Sequence, residues 1–426
     1  MVNEAKQKPP RRYEKMRDSG VAWIGMVPEG WTSFLLGQLV KQVKNKNVLL
    51  QERNLLSLSY GKIKRKDIET AEGLVPASYD GYNIIEKGDI VLRLTDLQND
   101  HTSLRVGSAT ERGIITSAYL TLRPQNSVFP AFLYYALHTF DVRKGFYGMG
   151  AGVRQGLKYD EIRQIKVVLP ALIEQHTIAN FLDKKCSEID AIIAEAKASI
   201  EEYKAWKASI IYEAVTKGLD PHAEMKDSGV AWIGEIPAHW KCCRQKHLIR
   251  LINGRAYKDS EFEENGKYRI LRVGNLFSNP KWYTSSLELD AEKYCEKGDL
   301  LYAWSMSYGP VIWNGEKVIY HYHIWKTQLS DKLVTKFAYY YLIALSNNIR
   351  AEAHATTMGF VTMAAMNSAY IAYPATDEQV AISNYLDQKC AKIDALLKEK
   401  ESLISDLESY KKSLIYEVVT GKRKVC

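Results

Sequence analysis

Residues 16–31 read MRDSGVAWIGMVPEGW and residues 225–240 read MKDSGVAWIGEIPAHW, one motif returning after 209 positions. A second pair, PALIEQHTIANFLDKKCSEIDAII from Pro170 and PATDEQVAISNYLDQKCAKIDALL from Pro374, returns after 204 and continues into SIIYEAVT at Ser209 and SLIYEVVT at Ser413. Chance does not supply two collinear repeats of this length. The segments between them, 32–169 and 241–373, share very little. Two different domains are therefore mounted on one duplicated frame.

The second repeat carries a helical period. Leu182, Ile189, Ala196, Tyr203 and Ile210 recur every seven residues, with Cys186, Ile193, Ile200, Lys207 and Ala214 four behind, which is a heptad seam. The later copy keeps the register with Leu386, Ile393, Lys400, Leu407 and Leu414, and with Cys390, Leu397, Ile404, Lys411 and Val418. Neither Gly nor Pro interrupts Glu174–Thr216 or Glu378–Thr420, so two continuous helices are predicted, each with an apolar seam that the other copy can bury. Lys207 and Lys411, at equivalent seam positions, leave either an opening or a polar contact. Gly218 and Pro221 stop the first helix, and the return they impose makes the pair antiparallel. With a pseudo-twofold axis, the tail VTGKRKVC should lie beside the leader RRYEKMRDSG.

The fold class expected is α+β: two α/β recognition domains separated by an antiparallel coiled coil of two long helices, with a pseudo-twofold internal repeat. The expected boundaries are a leader at 1–30, a first variable domain at 31–169, a helix at 170–216, a linker with the repeated constant segment at 217–239, a second variable domain at 240–373, and a helix with tail at 374–426. The repeated Trp and Pro residues (Trp23, Pro28, Trp31; Trp232, Pro237, Trp240) read as a packing brace at each domain entrance, base stacking being the other use of such rings.

At 426 residues, 46% hydrophobic and 25% charged, the composition is that of a globular protein rather than a disordered one. No apolar run reaches the roughly 18 residues that span a bilayer, and MVNEAKQKPPRRYEK has no secretory apolar core, so no membrane and a cytoplasmic location are expected. The six cysteines show no CxxC spacing, which suits a reducing compartment. The net charge of +8 is unevenly placed: 31–169 carries +6 and 240–373 carries +5, while 170–216 and 374–420 carry −3 each. A cationic surplus on the variable domains favours a polyanion such as nucleic acid, although ordinary soluble domains also reach such values.

Within the variable domains, IIEKGDIVLRL and YCEKGDLLYAW share a Lys-Gly-Asp turn feeding an apolar strand, and FPAFLYYALHTF and TKFAYYYLIALSNNI read as helices. Arg93 and Thr95 leave the first strand; Trp304, Ser305 and Tyr308 leave the second. Strand exits are good places for readers. KIKRK, with Lys62, Lys64, Arg65 and Lys66, reads as a basic loop suited to phosphates or merely to solvent. Arg255, Tyr257, Lys258, Arg272 and Asn275 offer charge, stacking and bidentate groups, Arg pairing with guanine and Asn with adenine.

The paired repeats, the Pro-x-x-x-Glu-Gln lead into each helix (Pro170, Glu174, Gln175; Pro374, Glu378, Gln379) and the two unlike basic domains strongly resemble the specificity subunit of type I restriction-modification enzymes, over Met16 to Thr420. The resemblance implies a DNA-recognition subunit without chemistry of its own. Each variable domain would read one half of a split, asymmetric site in double-stranded DNA, and the helices would set the spacer. Two methyltransferase subunits binding S-adenosylmethionine and two restriction subunits using ATP and Mg would assemble on it, leaving no cofactor in this chain. Loops before the Pro-Glu-Gln lead resemble the family's DNA-facing loops, which adds Arg154, Gln155 and Lys158 in the first domain and Thr356 and Thr357 in the second.

Neither a DPPY or NPPF methyltransferase motif nor a GxxxxGK[ST] loop occurs, and GMGAGVRQG has the wrong spacing for a nucleotide cradle. His321 and His323 alternate as on one strand face; packing, a DNA contact or a metal with a third ligand are the readings, and no third ligand is visible. A protein-binding adaptor is the rival function, with a self-sufficient nuclease or methyltransferase third.

Overall fold

The computed structural model describes residues 11–69, 78–97, 100, 102, 104–149, 156–277, 279–305, 309–353 and 361–425. The chain forms two units: Met1–Ala196 with Ser402–Cys426, and Lys197–Glu401. Leu172–Lys217 and Thr376–Val419 are single helices of 46 and 44 residues, slightly longer than the Gly- and Pro-free heptad runs. Acidic side chains occupy both first turns (Glu174; Asp377 and Glu378), where the helix dipole favours them. Gly218 (φ 76°) and Gly421 (φ 69°) follow the last turns in the left-handed conformation that ends helices.

In the first unit the seam residues Leu182, Ile189, Ile193 and Leu414 are buried in one core, with Ile404 and Leu407 packed partly against it. Asp190 meets Lys411 there, and Tyr13 bonds Glu174 while its ring lies under Lys424, so the two helix segments run antiparallel. In the second unit Ile200, Leu386 and Ile393 are buried and Tyr203, Ile210 and Leu397 half-buried. Lys207 pairs with Asp394 at 2.6 Å, and Lys204, one turn earlier, feels Glu401, which again is antiparallel. The seam lysines thus make polar contacts.

The variable segments, so unlike in sequence, have one strand order. The first unit builds a four-stranded sheet in the order Lys62–Lys66, Leu55–Ser59, Gly113–Ile115, Asn83–Ile85, and another in the order Val40–Gln42, Leu120–Pro124, Ile90–Leu92, Val106–Ser108. The second unit repeats both, as Tyr283–Ser285, Tyr268–Leu271, Val318–Tyr320, Tyr294–Cys295 and as Ile249–Asn253, Ile324–Leu329, Leu300–Ala303, Gly309–Ile312. Each set contains one parallel pair, Ile114 beside Leu55 and Ile270 beside Ile319. Helices Pro130–Val142 and Thr335–Ala353 follow the last strands.

Lys62–Lys66 is therefore a strand, not the loop expected. Tyr60 (φ 47°) and Gly61 (φ 75°) make a two-residue turn with positive φ at both centres, the geometry that joins right-twisted hairpin strands. Ile63 then packs on the Leu56 and Leu58 core while the cations line an exposed edge, which discourages pairing with other strands. His321 and His323 also depart from expectation: they flank a tight turn, with Ile324 N bonded to His321 O, rather than lying along a strand.

The constant motifs brace each unit in the same way. Trp31 and Trp240 are buried edge-on against Phe132 and Phe337, with centroids 6.2 and 6.3 Å apart. Gln175 accepts from Phe129 N and donates to Pro170 O, and Gln379 accepts from Val334 N and donates to Pro374 O. Tyr135 and Tyr340 donate to Asp183 and Asp387 on the long helices. In the first unit the tail returns to the leader: Lys424 N bonds Arg11 O, Lys422 bonds Ile24 O, and Gly421 fits so closely on Pro28 that a Cβ would stand 2.2 Å from its ring.

Candidate nucleic-acid interface

Both Lys-Gly-Asp turns are built alike. The Asp89 carboxylate accepts from Glu86 N and holds Arg123 through two bonds of 2.7 Å; the Asp299 carboxylate accepts from Glu296 N and holds Lys326 at 2.6 Å. Gly88 (φ 91°) and Gly298 (φ 98°) supply the backbone that lets the aspartate fold back. The turn launches a wholly buried strand, Ile90–Leu92 or Leu300–Ala303. Just beyond each strand the chain is tied to the segment that precedes the last short helix: Leu157 N bonds Leu94 O at 3.0 Å, and Val361 N bonds Trp304 O at 2.9 Å.

In the first unit this tie brings the Arg93 and Thr95 exit together with Lys158. Thr95 and Lys158 are exposed, and Arg93 is half-buried with no side-chain partner among the described residues. The exit rests on Arg105, a guanidinium with no exposed surface that donates to the carbonyls of Arg93, Thr95, Asp96 and Asp100. Lys62, Lys64, Arg65 and Lys66 stand elsewhere, on the edge strand. Arg65 is occupied by a forked ion pair with Glu111, which raises its pKa, and Lys62 lies 3.8 Å from Asp190. Lys64 and Lys66 are exposed cations. Arg154 and Gln155 lie outside the described residues.

In the second unit Arg255, Tyr257, Arg272 and Trp304 gather round the His321–Tyr322–His323 turn. Tyr257 stacks on His321 with 6.5 Å between centroids; Trp304 meets His323 edge-on at 4.9 Å, stacks on Trp325 at 5.9 Å and donates to Tyr322 O. Arg272 is exposed over the Tyr283 ring, which Lys281 also approaches at 5.2 Å. Burial, His323 and Arg272 push the His321 pKa down to about 4, and burial and Arg272 lower that of His323, so both rings are neutral near pH 7 and each offers one donor and one acceptor.

Two residues singled out for bidentate reading are already engaged. Arg255 is clamped by Glu261, which also accepts from Lys258 N, leaving the Lys258 ammonium as the exposed group there. The Asn275 amide accepts from Arg272 N and donates to Asn279 O and Lys281 O, so it shapes its own loop. Ser305 is half-buried; Tyr308, Thr356 and Thr357 lie outside the described residues. The sequence reading assigned no role to Arg105 and left the two histidines among packing, DNA contact and metal. The alternation in YHYH suggested a strand and concealed a turn whose backbone is held by Arg255 O and Trp304.

Among the described residues there is no cluster of three or more His, Cys, Asp or Glu able to hold a metal ion, and no helix long and apolar enough to cross a membrane. The profile of a family described as the type I restriction modification DNA specificity domain matches residues 28–202 and again 237–405. The chain is 25% identical to the type I restriction enzyme MjaVIII specificity subunit of Methanocaldococcus jannaschii, covering 94% of each chain. It is 24% identical to the putative type I restriction enzyme MjaX specificity subunit of the same organism, covering 94% of this chain and 96% of that one. A solved structure described as the basis of complex assembly and conformational transition of the type I R-M system superposes with a TM-score of 0.70 at 15% identity, over 92% of this chain and 98% of its own. The likeness in fold agrees with the twofold match in sequence, and this chain belongs to the type I restriction-modification DNA specificity family.

Proposed function

We propose that each variable domain of this specificity subunit reads one half of a bipartite, asymmetric sequence in double-stranded DNA, and that the paired helices set the unread spacer between the halves. The observation that carries this reading is one strand order presenting two different chemistries at the same place. Arg93, Thr95 and Lys158 stand at the exit of Ile90–Leu92, and Trp304 stands at the exit of the matching strand Leu300–Ala303, where it packs on His323 of the turn that holds the neutral His321 and His323 and lies near Arg272. A duplicated scaffold with unlike reading groups suits two unlike half-sites. The positive balance of 31–169 and 240–373 suits phosphate contact.

The long helices would carry two methyltransferase and two restriction subunits. Ile192 and Trp206 on the first helix and Leu396, Leu403 and Tyr410 on the second are exposed apolar residues, spaced at multiples of seven along their own helix and outside its buried seam. The subunit itself would be non-catalytic, work in the cytoplasm and bind no cofactor, with S-adenosylmethionine, ATP and Mg held by its partners.

The test is single-molecule sequencing of methylated DNA from cells carrying this chain with its methyltransferase. One bipartite motif is expected, and exchange of residues 32–169 for another reader should alter one half alone. A motif altered in both halves, or no motif, as a protein-binding adaptor would give, refutes the reading. Binding should weaken steeply with salt as counterions are released.

A further inference from the structure

Arg105 is the most completely enclosed cation among the described residues, with no exposed side-chain surface. Burying a guanidinium is costly unless every N–H finds an acceptor. Here all five do. Nε donates to the Tyr147 hydroxyl at 3.1 Å, one terminal nitrogen to Arg93 O and Thr95 O at 3.2 and 2.8 Å, and the other to Asp96 O at 3.3 Å and to Asp100 O. The Asp100 carboxylate lies 3.9 Å away, and Tyr147 also donates to Asp100 O at 3.0 Å. The backbone N of Arg105 is fixed to the Asp141 carboxylate at 2.6 Å, anchoring the bracket to helix Pro130–Val142.

All four carbonyls belong to the stretch that leaves strand Ile90–Leu92. Asp96 in that stretch has φ 58°, a left-handed conformation that a residue with a Cβ adopts at a cost. Its carbonyl is one of those Arg105 holds. The guanidinium thus ties this left-handed residue to the carbonyls of Arg93, Thr95 and Asp100.

We infer that Arg105 is a positioning residue for DNA reading by the first unit: it fixes the backbone from which Arg93 and Thr95 meet the DNA, without touching the DNA itself. The inference rests on the reading above. Lysine, with three donors on a point charge, cannot span four carbonyls, so Arg105→Lys keeps the charge and loses the geometry. Tyr147→Phe removes the hydroxyl that ties the guanidinium to Asp100 and is the gentler change.

The experiment uses the full chain with its methyltransferase and sequences the methylated DNA. In wild type, exchange of residues 32–169 first identifies the half-site the first unit reads. Arg105→Lys should then make bases in that half degenerate and lower methylation of the fully matched site roughly tenfold, the scale of discrimination from one well-placed side chain. Tyr147→Phe should act in the same half more weakly, and the salt dependence of binding should stay as in wild type in both. An unchanged motif in both variants overturns the inference. So does loss that is equal in the two halves, since a bracket inside the first unit acts only on the half that unit reads. Failure of the underlying reading shows earlier and separately, as a wild-type motif that is not bipartite, and would remove the inference with it.

Discussion

The ammonium of Lys411 lies 2.6 Å from the carboxylate of Asp190, and 204 residues earlier Lys207 stands at the same distance from Asp394. Each pair joins a seam lysine on one long helix to an aspartate on the other, and each pair is the image of the other under the repeat. Both lie at the edge of the seam, the lysines about a quarter exposed. Solvent screens such pairs, so a double-mutant cycle on Asp190→Ala and Lys411→Ala should give a coupling of about 0.5–1 kcal/mol by chemical denaturation. A coupling near zero would reduce both pairs to incidental surface contacts.

The seam itself carries far more. Leu182 and Leu386 are fully buried at equivalent positions, one in each unit. Leu182→Ala and Leu386→Ala should each cost about 2–5 kcal/mol. Hydrogen exchange should localise the first loss to Met1–Ala196 with Ser402–Cys426 and the second to Lys197–Glu401. Aspartate at either position should abolish the helical packing. Near-native stability of the aspartate variants would contradict the seam.

The two Lys-Gly-Asp turns predict an asymmetry. Asp89 is almost wholly buried and holds Arg123 in a two-pronged bond, whereas Asp299, 22% exposed, holds Lys326 through one. Planar forked pairing is the more directional interaction. Asp89→Asn should therefore destabilise its unit more than Asp299→Asn does, as read from paired denaturation curves; the reverse order would show that the lysine pair is the stronger.

Acid should loosen the first unit through His138. Its Nδ1 is covered and has no hydrogen-bond partner among the described residues, and burial together with Lys411 and Lys412 pushes its pKa from 6.5 down to about 4. Between those values the unfolded chain binds a proton that the folded chain refuses. The contribution is therefore fully present above pH 6.5 and is lost as pH falls toward 4. Replacing His138 by Leu should flatten the dependence of stability on pH in that window by up to about 1.4 kcal/mol per pH unit. A wild-type-to-variant difference that does not change with pH would sink the assignment.

Legibility in the sequence followed the range of the interaction. The long helices declare themselves because Leu182 through Ile210 and Leu386 through Leu414 keep a local period that neither Gly nor Pro breaks. The strand order does not, because strands of two to six residues pair across long separations, as Ile114 does with Leu55. KIKRK looked like a loop because four of its five residues are charged; the Tyr60-Gly61 turn ahead of it was the sign of a hairpin. Residue type pointed to Arg255 and Asn275 as readers, yet their partners Glu261, Asn279 and Lys281 act through backbone and side-chain geometry that composition does not express. Arg105, one arginine in HTSLRVGS, becomes legible only once four carbonyls are seen to converge on it.

The hydrogen bond from Lys424 to Arg11 has a practical corollary. Fluorophores attached near residues 11 and 425 would begin as close neighbours, their energy transfer near its ceiling. Any event that peels the final helical turns away from the leader would dim that signal before the rest of the first unit changed, giving an optical gauge of how firmly the two ends of that unit hold together.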